Sequence, residues 1–480
     1  SNVDGLTLHS AFNFPFGNKF INLNPKKRDL MREMMSDLTI VIIDEISMVK
    51  TELLYDLHIR LFKEIKQTKE NFGGVAVLLF GDLMQLQPVR ATWIFKEPSC
   101  KTEPSALWRQ FNFIELKTNH RQGDDKTYAD MLNRIRFGNH TDDDIKVLNS
   151  RVFDTYPEDA IHIFGKNAPC NEYNNAKLNA LPGKLETLIA TNYNPQRRNY
   201  QPPLKDDGSV NGTSFLQELN LKIGARVMLT YNIDTSDGLT NGARGTVVDF
   251  NRTPDGKVEK VLIKFDQEKF GKKRRESTNS KDMITPIERV TFTYSIGGAS
   301  KNHTVTVQIT QFPMKLAWGV TAHKFQGQTV KKPDPVVIHI DTCWGNSIGY
   351  VMLGRPECIS QVYLTARIED CPKDPFKVDP AAAEEAKYIT DNAYNNGEDT
   401  WFEKPENIIN VSTLNAVSLV KHRDDIAADM TLTACDVICV NETFLTSDSP
   451  ETVLIPNFDL YQCGGGRGKG VAIYTSQDFP

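Results

Sequence analysis

Two short apolar runs, each ending in an acidic residue, set the frame into which this chain must fold. LTIVIIDE (38–45) and VAVLLFGD (75–82) do not alternate, are rich in β-branched residues or Leu, and are too short for core helices. They read as strands of a parallel sheet, buried on both faces. Between them, TELLYDLHIRLFKEIKQTKE carries apolar residues at helical spacing. The three segments together make a strand–helix–strand unit of an α/β sheet. PVVIHID (335–341) reads as a further buried strand, in a second α/β domain. The texture differs from about 221 to 312, where GARVMLTYN, NGARGTVVDF and KVEKVLIKF alternate between Gly-containing turns. That pattern predicts a small β-barrel inserted into the second domain. Residues 368–406 are acidic and polar, with an Ala/Glu-rich stretch at 380–390, and read as a trailing helix and linker. NIINVSTLN (407–415) and CDVICVNE (435–442) then restart a strand–helix–strand pattern.

Composition narrows the function classes. The net charge of -5 over 480 residues argues against a chain that coats nucleic acid by bulk charge, but leaves room for a local basic groove. No apolar run approaches the ~18 residues of a membrane span. The eight cysteines form no CxxC pair and the nine histidines are scattered, so reduced thiols in an intracellular protein are expected rather than a zinc site. The N-terminus has no signal-peptide pattern and no initiator Met, which suggests a fragment or a processed product.

The strongest chemical signal is Asp44–Glu45 at the end of an apolar strand. Nucleotide hydrolysis needs two carboxylates at that edge of an open α/β sheet, one to hold hydrated Mg2+ and one to polarise the attacking water. GDLMQLQPV (81–89) follows the next strand and offers Asp82 and Gln85, able to sense a γ-phosphate or its water. IELKTNHRQ (114–122) and YVMLGRPE (350–357) supply Arg121 and Arg355, cations suited to the far wall of an NTP cleft. Either arginine by itself more often serves in a surface ion pair. LAWGVTAHKFQGQT (316–329) combines Thr321, His323, Lys324, Gln326, Gly327 and Thr329, a set suited to a phosphodiester backbone. Trp318 and Trp344 could stack on bases, although Trp318 lies in an apolar run and reads as core. LysLysArgArg (272–275) reads as a solvated turn, a nuclear signal or a DNA contact.

In this order the motifs resemble the RecD-like branch of the superfamily 1 DNA helicases. In particular they resemble the petite-integration-frequency family and the helicase half of Helitron-type transposases, over residues 1 to about 367. The resemblance implies that Thr7 and His9 in GLTLHSAF contact DNA, that Asp44 holds Mg2+ and that Glu45 is the catalytic base. Gln85 would link γ-phosphate to DNA, Arg121 and Arg355 would be arginine fingers, and Thr321, His323 and Lys324 would contact the DNA backbone. At Gly354 the family usually has Ser. The family's Gly-rich phosphate loop precedes its Thr-x-His motif and is expected upstream of residue 1; GGGRGKG (464–470) lacks the context to replace it. Residues 407–480 resemble the start of the endonuclease/exonuclease/phosphatase family, with Asn415 and Glu442 at its metal-binding positions.

The expectation is an α/β chain of two RecA-like, P-loop-NTPase-type domains. Residues 1–130 form the first and 131–367 the second, which carries an SH3-like β-barrel at about 221–312. A helix and linker (368–406) and a truncated nuclease-like segment (407–480) follow. The expected function is an ATP-dependent DNA helicase using ATP and Mg2+, acting on single-stranded and duplex DNA, moving 5′ to 3′, and located in the nucleus. The competing readings are a non-hydrolysing DNA-binding remnant and a protein whose main activity is Mg2+-dependent endonuclease.

Overall fold

The computed structural model describes residues 5–14, 20–89, 91–98, 107–116, 118–197, 199–205, 207–277, 283–297, 304–392, 411–415, 426, 437–441, 455, 457–463 and 471–477. They divide into two compact units, Phe14–Tyr394 and a second made of Ser1–Asn13 with Asn395–Pro480. The sequence places residues 1–13 with the first α/β domain; the structure groups them with the C-terminal segment instead.

Within Phe14–Tyr394, strands Ile40–Ile43 and Ala76–Leu79 pair in parallel, Ile40 opposite Ala76. Helix Thr51–Ile59 and the wider turns of Arg60–Ile65 make the crossover between them, burying Leu54, Leu57 and Leu61. A second parallel sheet has the order Gly319–Thr321, Ile161–Phe164, Val336–His339, Val362–Leu364. Its strands bury Ile163, Val336, Val337 and Ile338 completely, as a parallel sheet covered on both faces requires. Helix Lys126–Arg136 covers this sheet with Tyr128, Met131, Leu132 and Ile135, one stripe at helical spacing.

The antiparallel part that interrupts the second sheet reaches beyond the expected 221–312 at both ends. Glu186–Ile189 pairs with Glu218–Leu221, Thr191–Tyr193 pairs with Thr304–Gln311, and Met314–Leu316 pairs with Arg226–Leu229. A five-stranded sheet forms its larger piece, packed around Leu221, Val247, Val261, Ile263 and Phe312. Trp318 packs against that core, as its apolar surroundings predict. The expected solvated turn at 272–275 is instead part of helix Lys272–Ser277. Arg275 is buried there and donates to Phe270 O (2.6 Å) and Thr285 Oγ1 (2.9 Å), which removes it from any surface signal.

The other unit contains a four-stranded sheet in the order Val411–Asn415, Val437–Asn441, Val471–Ser476, Phe458–Cys463. The first two strands are parallel, with Asn415 opposite Asn441, and the rest antiparallel. Among the described residues, no helix is long and apolar enough to cross a membrane.

Candidate functional site

The loops after the two parallel strands Ile40–Ile43 and Ala76–Leu79 are held together by their backbones. Ile46 N donates to Phe80 O (3.0 Å) and Phe80 N to Ile43 O (2.7 Å). Gly81, at φ 153°, passes so close that a Cβ would stand 2.8 Å from Ile46 N. Asp44 is exposed at the strand end and its Oδ1 accepts from Glu45 N (2.7 Å). Glu45 adopts φ 54°, ψ 49°, a conformation that a non-glycine residue holds only where its surroundings enforce it. That turn separates the two carboxylates in direction, and Glu45 Oε2 accepts from Gln326 Nε2 at 2.8 Å.

The second loop carries a carboxylate that is engaged within the protein. Asp82 Oδ1 accepts from Arg136 Nη2 (2.8 Å), Arg136 Nε (3.1 Å) and Met84 N (3.0 Å), and Oδ2 from the Tyr350 hydroxyl (3.1 Å). Gln85 Nε2 lies 3.5 Å from the same Oδ2. Asp82 therefore ties the first parallel pair to helices Lys126–Arg136 and Ile348–Leu353, where the sequence suggests a phosphate sensor.

Arg121 donates from Nε to Thr329 Oγ1 (3.0 Å) and from Nη1 to Gly354 O (3.0 Å). Arg355 is 2% exposed and donates from Nε to Val351 O (2.8 Å) and from Nη1 to Gln328 O (3.3 Å). Burial pushes both guanidinium pKa values down, Arg355 to about 10, with Arg121 adding like-charge repulsion and Glu45 opposing it. Both remain cations at neutral pH. The departure at Gly354 falls on a residue that contributes its carbonyl, a group that any residue supplies.

Glu45, Gln85, Arg121 and Arg355, singled out in the sequence, thus meet in one region with Asp44 at its edge. Arg136 and Tyr350 were missed; on one sequence Arg136 looks like any surface cation of an amphipathic helix. Two buried acceptors, Gln85 Oε1 and Gln326 Oε1, have no hydrogen-bond partner among the described residues.

The suggested backbone-contact segment lies at the end of strand Gly319–Thr321 and in the short helix Ala322–Phe325. Thr321 is buried at the strand end, so His323, half-buried, and Lys324, exposed, are the members that present side chains outward. Lys315, half-buried, lies beside Lys324; burial, then the neighbouring ammonium, bring its pKa down to about 7. Thr7 and His9 belong to the other unit, where Thr7 Oγ1 accepts from Ser10 N (3.3 Å) and caps helix Leu8–Ala11. Asn415 ends its strand, and Glu442 lies outside the described residues.

With this geometry in place, comparison with known proteins is informative. Residues 2–146 match the family described as PIF1-like helicase, and residues 210–250 match the 2B domain of DNA helicase Pif1. The chain is 28% identical over 366 residues to ATP-dependent DNA helicase PIF1 of Xenopus laevis, covering 74% of this chain and 51% of that protein. It is 26% identical over 392 residues to ATP-dependent DNA helicase Pif1 of Campylobacter jejuni, covering 76% and 80%. The chain therefore spans about half the length of the Xenopus relative. In fold it is similar to Bacteroides Pif1 in complex with ADP-AlF3 and single-stranded DNA, with a TM-score of 0.61 and 25% identity over 81% of this chain and 84% of that one.

Proposed function

We propose that this chain, whose residues 2–146 match the PIF1-like helicase family, is part of an ATP-driven helicase that translocates on single-stranded DNA. One observation carries the reading: Glu45, Arg121 and Arg355, from distant segments of the chain, converge on a region where the buried amide oxygens of Gln85 and Gln326 find no donor among the described residues.

The residues fit the nucleotide and its cation. A single exposed carboxylate, Asp44, suits Mg2+, which keeps waters and takes its other ligands from phosphates. Bound ATP supplies the phosphoanhydride bond whose hydrolysis drives the cycle. Glu45 accepts the proton of the attacking water, and Gln326 fixes the direction of its carboxylate. Gln85 Oε1, a buried acceptor, orients a donor such as that water. Arg121 and Arg355 neutralise the charge that develops on the transferred group. The Asp82–Arg136 and Asp82–Tyr350 bonds link this region mechanically to helices Lys126–Arg136 and Ile348–Leu353. The family resemblance implies movement 5′ to 3′, and action on duplex DNA and a nuclear location belong to the same reading.

The test is DNA-stimulated ATP hydrolysis by the full-length protein. Glu45→Gln keeps the shape of the side chain but cannot take a proton, so turnover should vanish while ATP binding persists. Near-normal turnover in that variant would refute the role.

The parallel pair Val411–Asn415 and Val437–Asn441, flanked by two antiparallel strands, supports a second element of the proposal: the opening of a metal-dependent nuclease domain. Asn415 ends the first of these strands and Glu442 is next in sequence after the second; oxygen ligands of this kind suit a hard cation. A helicase segment followed by such a domain is the order expected of a Helitron-type protein. Full-length protein should nick supercoiled plasmid with Mg2+, and Glu442→Ala should not; equal nicking by both would reject the assignment.

A further inference from the structure

Trp344 stands at the C-terminal edge of the second parallel sheet, after strand Val336–His339 and the turn Ile340–Thr342. Open α/β sheets present their ligands along this edge. The indole Nε1 donates to Gly165 O (2.8 Å), on the loop that leaves the neighbouring strand Ile161–Phe164. That loop is itself clamped, because Gly165 N donates to Thr342 Oγ1 (2.7 Å) and a Cβ on Gly165 would lie 2.5 Å from Thr342 O. Trp344 is therefore fixed by two strand-end loops, and its only polar atom is satisfied. Yet the residue is 47% exposed, a large apolar surface held in water.

Its neighbours give that surface a chemical context. The His323 ring faces the indole with centroids 6.4 Å apart and planes within 15° of parallel. Burial lowers the His323 pKa, so the imidazole is a neutral aromatic face at physiological pH. Lys324, next in sequence, and Lys166, next to Gly165, are both exposed. Fixed aromatic faces with cations beside them are the pattern on which unpaired bases stack while their phosphates are neutralised.

We propose that Trp344 is a base-stacking platform for one unpaired base of the bound single strand, with His323 as its second ring. The proposal rests on the translocase reading and adds a contact to the base, which backbone recognition alone does not provide. Because the ring is already immobilised, little side-chain freedom is lost when a base arrives.

The experiment measures equilibrium binding of full-length protein to oligothymidylate and to an abasic oligomer of the same length and charge, each at several salt concentrations. Trp344→Ala should weaken oligothymidylate binding roughly 10- to 100-fold and leave the salt slope unchanged. Its affinity for the abasic strand should match wild type. Trp344→Phe should recover most of the loss, and circular dichroism melts of both variants control for folding. By contrast, Lys324→Ala should reduce the salt slope by about 0.7. Wild-type affinity of Trp344→Ala for oligothymidylate would overturn the proposal, and so would an equal loss on the abasic strand. Failure of the wild type to bind either strand would overturn the translocase reading as well.

Discussion

Gln326 reaches Glu45: its Nε2 lies 2.8 Å from Glu45 Oε2 and 3.1 Å from Ser47 Oγ, a bond between residues 281 positions apart. Gly327 follows it at φ 76°, and a Cβ there would stand 2.9 Å from Glu45 Oε1. The loop from the second sheet therefore presses directly on the carboxylate proposed as the base. Gln326→Ala is expected to lower DNA-stimulated kcat roughly 10- to 100-fold by freeing Glu45 to rotate. Binding of ATP and of single-stranded DNA, measured separately, should change little. Unaltered kcat would show that Glu45 needs no such partner.

Arg355 gives a sharper expectation. Its Nε and Nη1 are held by two carbonyls of its own domain, so the guanidinium is pre-positioned before any phosphate arrives. Arg355→Ala should slow hydrolysis ~10³-fold or more. Arg355→Lys should rescue little, because one ammonium cannot span both carbonyls and still face a phosphate. A lysine variant with wild-type single-turnover rates would count against the finger role.

The parts of this site legible in the sequence are those written locally. An apolar run ending in Asp44–Glu45 and a motif ending in Arg355 can be read without knowing their partners. What was illegible depends on chain segments meeting in space. Arg136 takes its role from Asp82, 54 residues earlier, and Tyr350 from the same carboxylate, 268 residues away. The β-rich part was read too narrowly because the stretch between Glu186–Ile189 and its partner Glu218–Leu221 carries no alternation to announce the pairing. LysLysArgArg misled for a related reason: charge runs are usually solvated, but Arg275 finds carbonyl and hydroxyl acceptors in the insert.

The second sheet also holds an imidazole pair, His162 buried and His339 half-buried. His162 Nδ1 and His339 Nε2 are 2.9 Å apart, and His339 stacks on Phe164 with centroids 3.7 Å apart. Burial brings the His162 pKa down to about 3, helped by His339 and Lys177, and brings His339 to about 4. In the unfolded chain both titrate near 6.5. Below that pH the unfolded state binds protons that the folded state refuses, so stability should fall as pH drops from about 6.5 towards 4. Urea midpoints at pH 7.5 and 5 should differ, and the double variant His162→Phe/His339→Phe should narrow that difference. An equal acid sensitivity in the double variant would place its origin elsewhere.

Helix Pro380–Asp391, expected only to trail the second domain, is anchored to a segment of the first. Glu385 is buried, and its carboxylate accepts from Arg109 Nη1 (2.6 Å), Arg109 Nη2 (2.7 Å) and Trp108 Nε1 (2.8 Å). Arg109 also lies 4.1 Å from the Tyr388 ring centroid, so the helix grips it from two sides. Glu385→Ala leaves the buried indole N–H without an acceptor and Arg109 without its bidentate partner. Removing one member of a buried pair costs ~3–5 kcal/mol, but the Arg109 side chain is 40% exposed and water can replace part of what it loses. A loss of about 2 kcal/mol is therefore expected. Glu385→Gln keeps one acceptor for the indole and should cost less. The double variant Arg109→Ala/Glu385→Ala should be less destabilised than the sum of the singles, because the two share one interaction. Denaturant midpoints for the four proteins test this cycle. Strict additivity would mean that the helix is held by its apolar face alone.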